Sequence, residues 1–171
     1  MRIFIIGFMA SGKSTIGKKL ANKLGLPFID LDKEIEESQN TTIRLLIYEL
    51  GEERFRQIEK EALQRLIQQN ENVVISTGGG TPCYYDNMQK MNESGTTIYL
   101  EVDIPTLVSR LMTSKTDRPL IWGKTKPELT QYAEELLKKR NPFYTLARHK
   151  ISGKNLTADD LISLINLSPG H

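Results

Sequence analysis

The sequence contains a single cysteine, Cys83, and two histidines, His149 and His171. One thiol cannot close an intramolecular disulfide, which fits a reducing compartment. A His/Cys metal cluster cannot be assembled, and a Ser-His-Asp arrangement would depend on His149 alone. No apolar run approaches the ~20 residues that cross a bilayer as a helix. Arg2 followed by Ile3 to Ala10 superficially suggests a signal peptide, but that stretch is short and runs into a glycine-bearing loop, so no targeting segment is expected. There is no internal repeat, linker or low-complexity segment. A net charge of +2 makes no case for nucleic acid. These absences lead to the expectation of a cytoplasmic, monomeric protein without a membrane or nucleic-acid partner.

What is present is ordinary globular material. The 171 residues are 39% hydrophobic and 26% charged, enough for one domain spanning 1–171 with a real core. The charge is unevenly placed. Residues 30–72 carry 11 acidic and 6 basic side chains, and residues 110–154 carry 11 basic and 4 acidic. Solvated helix faces explain most of this, but some of the second block's basic residues could face an anionic ligand.

The organising stretch is Gly7-Phe8-Met9-Ala10-Ser11-Gly12-Lys13-Ser14, followed by Thr15. It fits the phosphate-loop spacing of glycine, any four residues, then Gly-Lys-Ser/Thr. Its context agrees. Arg2 to Ile6 is a short apolar run suited to a buried parallel strand. Ile16, Leu20 and Leu24 are four apart, as on a helix face. The loop amides would form an anion nest at a helix N-terminus. Lys13 would reach the β- and γ-phosphates, and the Ser14 hydroxyl would bind Mg²⁺.

Further along, a helix over about 13–24 stops at Gly25, a plausible C-cap. Pro27-Phe28-Ile29 reads as a strand ending in Asp30-Leu31-Asp32. Alternate residues of an extended segment point the same way, so both acids could face one cleft, although either could merely cap the next helix. Helices are expected at 42–50 and 52–69. On the second, Arg56 and Glu59 share a face, as a surface ion pair or as a device in which Glu59 aims Arg56 at an anion. Val73 to Ser76 is a strand leading into Gly78-Gly79-Gly80. Three glycines at a strand end suit a place where something approaches the backbone closely, a flexible turn being the alternative. A strand at 96–102, a helix at 106–112, a long helix at 128–147 that Pro142 should kink or divide, a strand at 149–152 and a helix at 158–167 complete the chain. Residues 113–126 lose hydrophobic periodicity, and a functional lid is the natural candidate. The alternation of strands and helices argues an α/β fold with a parallel sheet and helices on both faces.

The phosphate loop, the two aspartates, Arg56/Glu59, the triple glycine, Arg118 and Arg140 suit phosphoryl transfer from ATP to a small anionic acceptor bearing a hydroxyl. Arginines distant from the ATP would fork onto an acceptor carboxylate.

Six blocks now carry a resemblance over the whole length: residues 7–17, Phe28-Ile-Asp-Leu-Asp32, Gly51 to Glu59, Ser76 to Thr81, Asp117-Arg-Pro-Leu120 and Arg140-Asn-Pro-Phe-Tyr144. The chain resembles the shikimate kinases. The resemblance implies a three-layer P-loop kinase fold with a five-stranded parallel sheet and a mobile lid at about 113–126. It implies transfer of phosphate from ATP to the 3-hydroxyl of shikimate, with Mg²⁺, on the route to the aromatic amino acids. By the same resemblance Ala10, Ser11, Gly12, Lys13, Ser14 and Thr15 contact the ATP phosphates, with Ser14 on the metal and Asp30 supporting it through water. Asp32 binds the ring hydroxyls, as base or only as positioner. Arg56 and Arg140 hold the carboxylate, Glu59 orients Arg56, and Gly78, Gly79 and Gly80 offer backbone amides, Gly79 foremost. Arg118 closes over ATP, so that Lys13, Asp32 and Arg118 form the catalytic set. Arg110 and Lys154 are placed near adenine by position rather than by motif. Ala10 departs from the family pattern, which commonly has glycine there. The alternatives are another small-metabolite kinase, such as a gluconate kinase, and a nucleotide-binding switch protein. The switch lacks support, since the Asn-Lys-any-Asp string that reads guanine is missing its Asp at Asn22-Lys23-Leu24-Gly25.

Overall fold

A computed structural model of the chain describes residues 1–114 and 121–166. Five strands form one parallel sheet: β1 (Arg2–Ile6), β2 (Phe28–Asp30), β3 (Val73–Ser76), β4 (Thr96–Glu101) and β5 (His149–Ser152), in the order β2-β3-β1-β4-β5. Among the described residues there are eight α-helices: α1 (Lys13–Leu24), α2 (Leu31–Gln39), α3 (Ile43–Leu50), α4 (Glu52–Gln69), α5 (Asn87–Ser94), α6 (Ile104–Thr113), α7 (Lys126–Tyr144) and α8 (Ala158–Asn166).

The strand pleat divides the interior in two. Ile3 and Ile5 of β1 join Val74, Ile98 and Leu100 beneath Ile16 and Leu20 of α1 and Leu161 of α8. Phe4 and Ile6, one residue out of step, face the larger cluster with Ile75, Tyr99, Leu63 of α4, Val108 of α6 and Tyr144 of α7. Alternate residues thus feed opposite faces, which is why β1 is apolar from Ile3 to Ile6. With β3 and β4 flanking β1 on either side, the loops after the carboxyl ends of the strands gather into one crevice.

Two helices went unread in the sequence. Residues 31–39 carry few apolar residues, yet Leu31 and Ile35, four apart, are both fully buried. Asp30 caps this helix by accepting from the Asp32 and Lys33 amides, and Asn40 ends it at φ 51°. Asp32 therefore lies in a helical first turn and not on an extended segment, which corrects the alternation argument. Helix α5 buries Met88 and Met91. Pro142 does not divide α7, which runs on through it and ends two residues later at Tyr144. Lying in the last turn, Pro142 forfeits one backbone bond to the preceding turn but leaves only two residues of helix beyond it. Of the expected lid at 113–126, residues 115–120, Arg118 among them, lie outside the described residues, while Thr113 ends α6 and Lys126 opens α7. No helix among the described residues is long and apolar enough to cross a membrane.

Candidate active site

The loop between β1 and α1 is built for an anion. Gly7 and Gly12 take φ 151° and 93°, which β-carbons resist. Gly12 is the N-cap of α1 without any side-chain cap, so the first-turn amides face the crevice at the positive end of the helix. Ala10 stands at φ 62°. The loop therefore keeps left-handed backbone where this chain has no glycine, at a cost of roughly 1–2 kcal/mol. The Ser11 hydroxyl is buried and has no hydrogen-bond partner. Lys13 is buried along its stem, and its ammonium donates to the Phe8 carbonyl at 2.8 Å.

Ser14 follows on the first turn of α1. Its hydroxyl donates to Asp30 Oδ2 at 2.5 Å and lies 3.4 Å from the Ser76 hydroxyl. Asp30 thus has two roles: one oxygen caps α2 while the other meets Ser14. On the other side of the loop, Arg110 donates to the Ala10 carbonyl at 3.2 Å and to the Lys154 carbonyl at 2.6 Å. A cavity of about 370 Å³ opens there, lined among others by Gly12, Thr15, Arg110, Lys154 and Leu156. Arg110 and Lys154, expected near adenine, thus lie beside the phosphate loop.

The second half of the site is made of side chains. Arg56 and Glu59 are not a surface pair. They are 8% and 1% exposed, with Nη1 donating to Glu59 Oε2 at 2.8 Å. The other Glu59 oxygen accepts from the Thr81 hydroxyl at 2.7 Å. The Arg56 guanidinium lies 4.1 Å from the centre of the Tyr84 ring and 5.0 Å from that of Phe55. Its Nη2 lies 3.5 Å from Glu52 Oε1, and its Nε is buried and unpartnered. Burial works against this guanidinium's charge, but Glu59 outweighs it and the pKa ends above the ordinary arginine value.

Asp32 faces this cluster. Burial first, then the Glu59 and Asp30 carboxylates, push its pKa from 3.8 up to about 6, with Lys13 pulling the other way. A carboxyl with a raised pKa in a cleft is the usual preparation of a general base.

The triple glycine explains how these groups fit. A β-carbon on Gly78 would stand 2.8 Å from Asp32 Oδ1, one on Gly79 3.0 Å from Arg140 Nη1, and one on Gly80 2.5 Å from Arg56 Nη2. None of the three has a positive φ. Close approach, and not backbone freedom, requires glycine here. One charged side chain lies over each glycine, and this overturns the flexible-turn alternative. Arg140 reaches the turn from α7, with its guanidinium 5.8 Å from the centre of the Phe8 ring. The donor loop and the acceptor cluster thus share one crevice. Cys83, behind the turn, packs against the core, and burial pushes its thiol up to about 11, away from reactivity.

A family model for shikimate kinase matches residues 9–166. The chain belongs to the shikimate kinase family. The enzyme is 48% identical over 168 residues to the shikimate kinase of Azobacteroides pseudotrichonymphae, covering 98% of each chain. Its fold superposes on the crystal structure of shikimate kinase from Bacteroides thetaiotaomicron with a TM-score of 0.94, at 42% identity and covering 98% and 99% of the two chains. It also superposes on the Acinetobacter baumannii shikimate kinase solved in complex with shikimate, with a TM-score of 0.85 at 32% identity, covering 96% and 90%. This kinase is accordingly a phosphotransferase that phosphorylates shikimate in aromatic biosynthesis, and the gluconate-kinase and switch readings are set aside.

Thr81 and Tyr144 also belong to this cluster, although the sequence assigns neither of them a role. Both lay inside quoted blocks. Their only signal was a polar group at a position that folding buries: Thr81 and Tyr144 are each fully buried.

Proposed function

We propose that the two halves of the crevice divide the reaction between them, with MgATP held by residues 10–15 and shikimate held by Asp32, Arg56, Arg140 and the glycine turn. The observation that carries this reading is the side-chain cluster over Gly78 to Gly80, with a carboxyl near pKa 6 beside two guanidinium groups. The Arg56 and Arg140 guanidinium groups pair with the acceptor carboxylate, Glu59 orienting Arg56. Backbone amides of 78–80, Gly79 foremost, meet the ring substituents.

Asp32 accepts the proton of the 3-hydroxyl as its oxygen bonds to the γ-phosphorus, and the bridging oxygen departs with ADP. Lys13 leaves the Phe8 carbonyl for the transferring phosphoryl, and the Ser11 hydroxyl supplies a donor to the phosphates. Ser14 and Asp30 offer hard oxygen atoms, which fit Mg²⁺. That ion needs only one or two protein ligands beside phosphates and waters, and among the described residues no group of three His, Cys, Asp or Glu forms a metal cage. When bound, the ion neutralises phosphate charge. Arg110 and Lys154 border the adenine side. Arg118, outside the described residues, adds charge to the transferring group on the strength of its motif alone. The proposal extends to a single domain over 1–171, acting as a cytoplasmic monomer without nucleic-acid or membrane partners.

The test is a coupled ADP-release assay with MgATP. Turnover that requires shikimate and is not given by gluconate is expected. ADP release indifferent to shikimate would overturn the reading.

A further inference from the structure

Tyr144 ends α7 one helical turn beyond Arg140, so the two side chains share a face. Its side chain is fully buried, with its ring centre 5.1 Å from that of Tyr99. A buried phenol needs a partner, and this one donates to the Gly79 carbonyl at 2.5 Å. Burial raises its pKa well above the ordinary tyrosine value, against the pull of the nearby Arg140 guanidinium, so the hydroxyl keeps its proton.

The neighbouring carbonyls of the turn are satisfied locally. The Thr81 amide donates to Gly78 and the Cys83 amide to Gly80. The Gly79 carbonyl instead points out to α7. Because a trans peptide is planar, fixing that carbonyl also fixes the Gly80 N–H, which points the opposite way. The space beside Gly79 is narrow. A β-carbon there would lie 3.0 Å from Arg140 Nη1 and 3.4 Å from the Met9 amide nitrogen. Arg140 is the nearer of the two, so rotation of this peptide would press first on that acceptor arginine.

We infer that Tyr144 is a positioning residue for the acceptor: its hydroxyl locks the Gly79–Gly80 peptide and holds Arg140 in register with it. This rests on the reading in which Arg140 and the glycine turn hold the shikimate carboxylate. The Tyr144 hydroxyl bonds to the acceptor turn, whereas the phosphate-loop carbonyls of Phe8 and Ala10 are held by Lys13 and Arg110, so its loss falls on the shikimate side.

The test compares steady-state kinetics of Tyr144→Phe, Arg140→Ala, the double variant and Tyr99→Phe. Phenylalanine keeps the buried ring and removes only the hydroxyl. Tyr144→Phe is expected to raise the shikimate KM ~10-fold, the scale of one hydrogen bond at a charged site, with the ATP KM unchanged. In the Arg140→Ala background the same change should add less than about twofold, because interacting sites are not additive. Tyr99→Phe, which loses only a 3.4 Å contact to Asn141 Oδ1, should leave both KM values alone and controls for general loosening of the stack. An unchanged shikimate KM in Tyr144→Phe, beside a raised one in Arg140→Ala, overturns the inference alone. So does a full effect in the double variant, or an equal rise in both KM values. An unchanged shikimate KM in Arg140→Ala overturns the underlying reading and the inference with it.

Discussion

The two halves of the crevice are built from different materials. The donor half is one continuous stretch, residues 7 to 15, and its working surface is backbone: two glycines and an alanine at positive φ, an uncapped helix N-terminus and two short polar side chains. The acceptor half has no contiguous core. Asp32 comes from α2, Arg56 and Glu59 from α4, the glycines from the end of β3, and Arg140 from α7. Its working surface is charged side chains packed against bare backbone. A phosphate can be bound by amides and dipoles at little desolvation cost. A ring with a carboxylate and hydroxyls requires charges taken out of water, and each must be balanced where it stands.

That contrast ranks the consequences of mutation. Glu59 compensates a buried arginine and a buried threonine hydroxyl. Glu59→Ala should destabilise the apo protein by about 3–5 kcal/mol, the scale of an uncompensated buried charge, as read by denaturant titration. A loss no larger than that of an exposed pair, below about 1 kcal/mol, would erase the distinction between the halves.

Asp32 tests the same contrast by pH. Its folded pKa is about 6 against 3.8 for the free group. Between these values the native state binds more protons, so stability falls as pH rises from about 4 to 6 and the cost persists above that. Asp32→Asn should then be more stable than the parent by roughly 1–2 kcal/mol at neutral pH, allowing for partial solvent exposure, with the gain vanishing below about pH 4. In the parent, kcat/KM should rise with pH through an apparent pKa near 6. A pH-independent stability difference between the two proteins would break the assignment.

The donor half should respond least to its one irregularity. Ala10→Gly relieves left-handed strain of roughly 1 kcal/mol but adds unfolded-chain entropy of similar size. A Tm within ~2–3 °C of the parent and kinetics within about threefold are expected. A large gain in activity would show that the nest requires glycine there and not merely a small side chain.

The same contrast explains what could be read from the sequence. The phosphate loop was legible because its geometry is local: spacing alone places Lys13 and Ser14. The sheet was legible because β1, β3 and β4 are apolar runs at the expected intervals. Helix α2 was not, since its acidic residues masked the pair Leu31 and Ile35 and its cap, Asp30, also reads as a ligand. For the acceptor half the residues were nameable by resemblance, but the reason for three glycines was not. Their bareness follows from Asp32, Arg140 and Arg56 arriving from three other elements, and no spacing within 76–82 encodes that. Thr81 and Tyr144 were missed for the same cause, because burial by distant elements gives them their partners.

The central claim is that the glycines are bare to admit the acceptor's charged side chains, independently of the nucleotide half. Gly80→Ala tests it most directly. Gly80 has ordinary helical angles, φ −89° and ψ −16°, so alanine adds no backbone strain. Its β-carbon would stand within 2.5–2.8 Å of the Arg56 guanidinium. Calorimetric titration of this variant should show shikimate binding weakened by at least ~10-fold, the loss of one charge-assisted contact, with nucleotide affinity unchanged. Undiminished shikimate binding, or an equal loss for both ligands, would contradict the account.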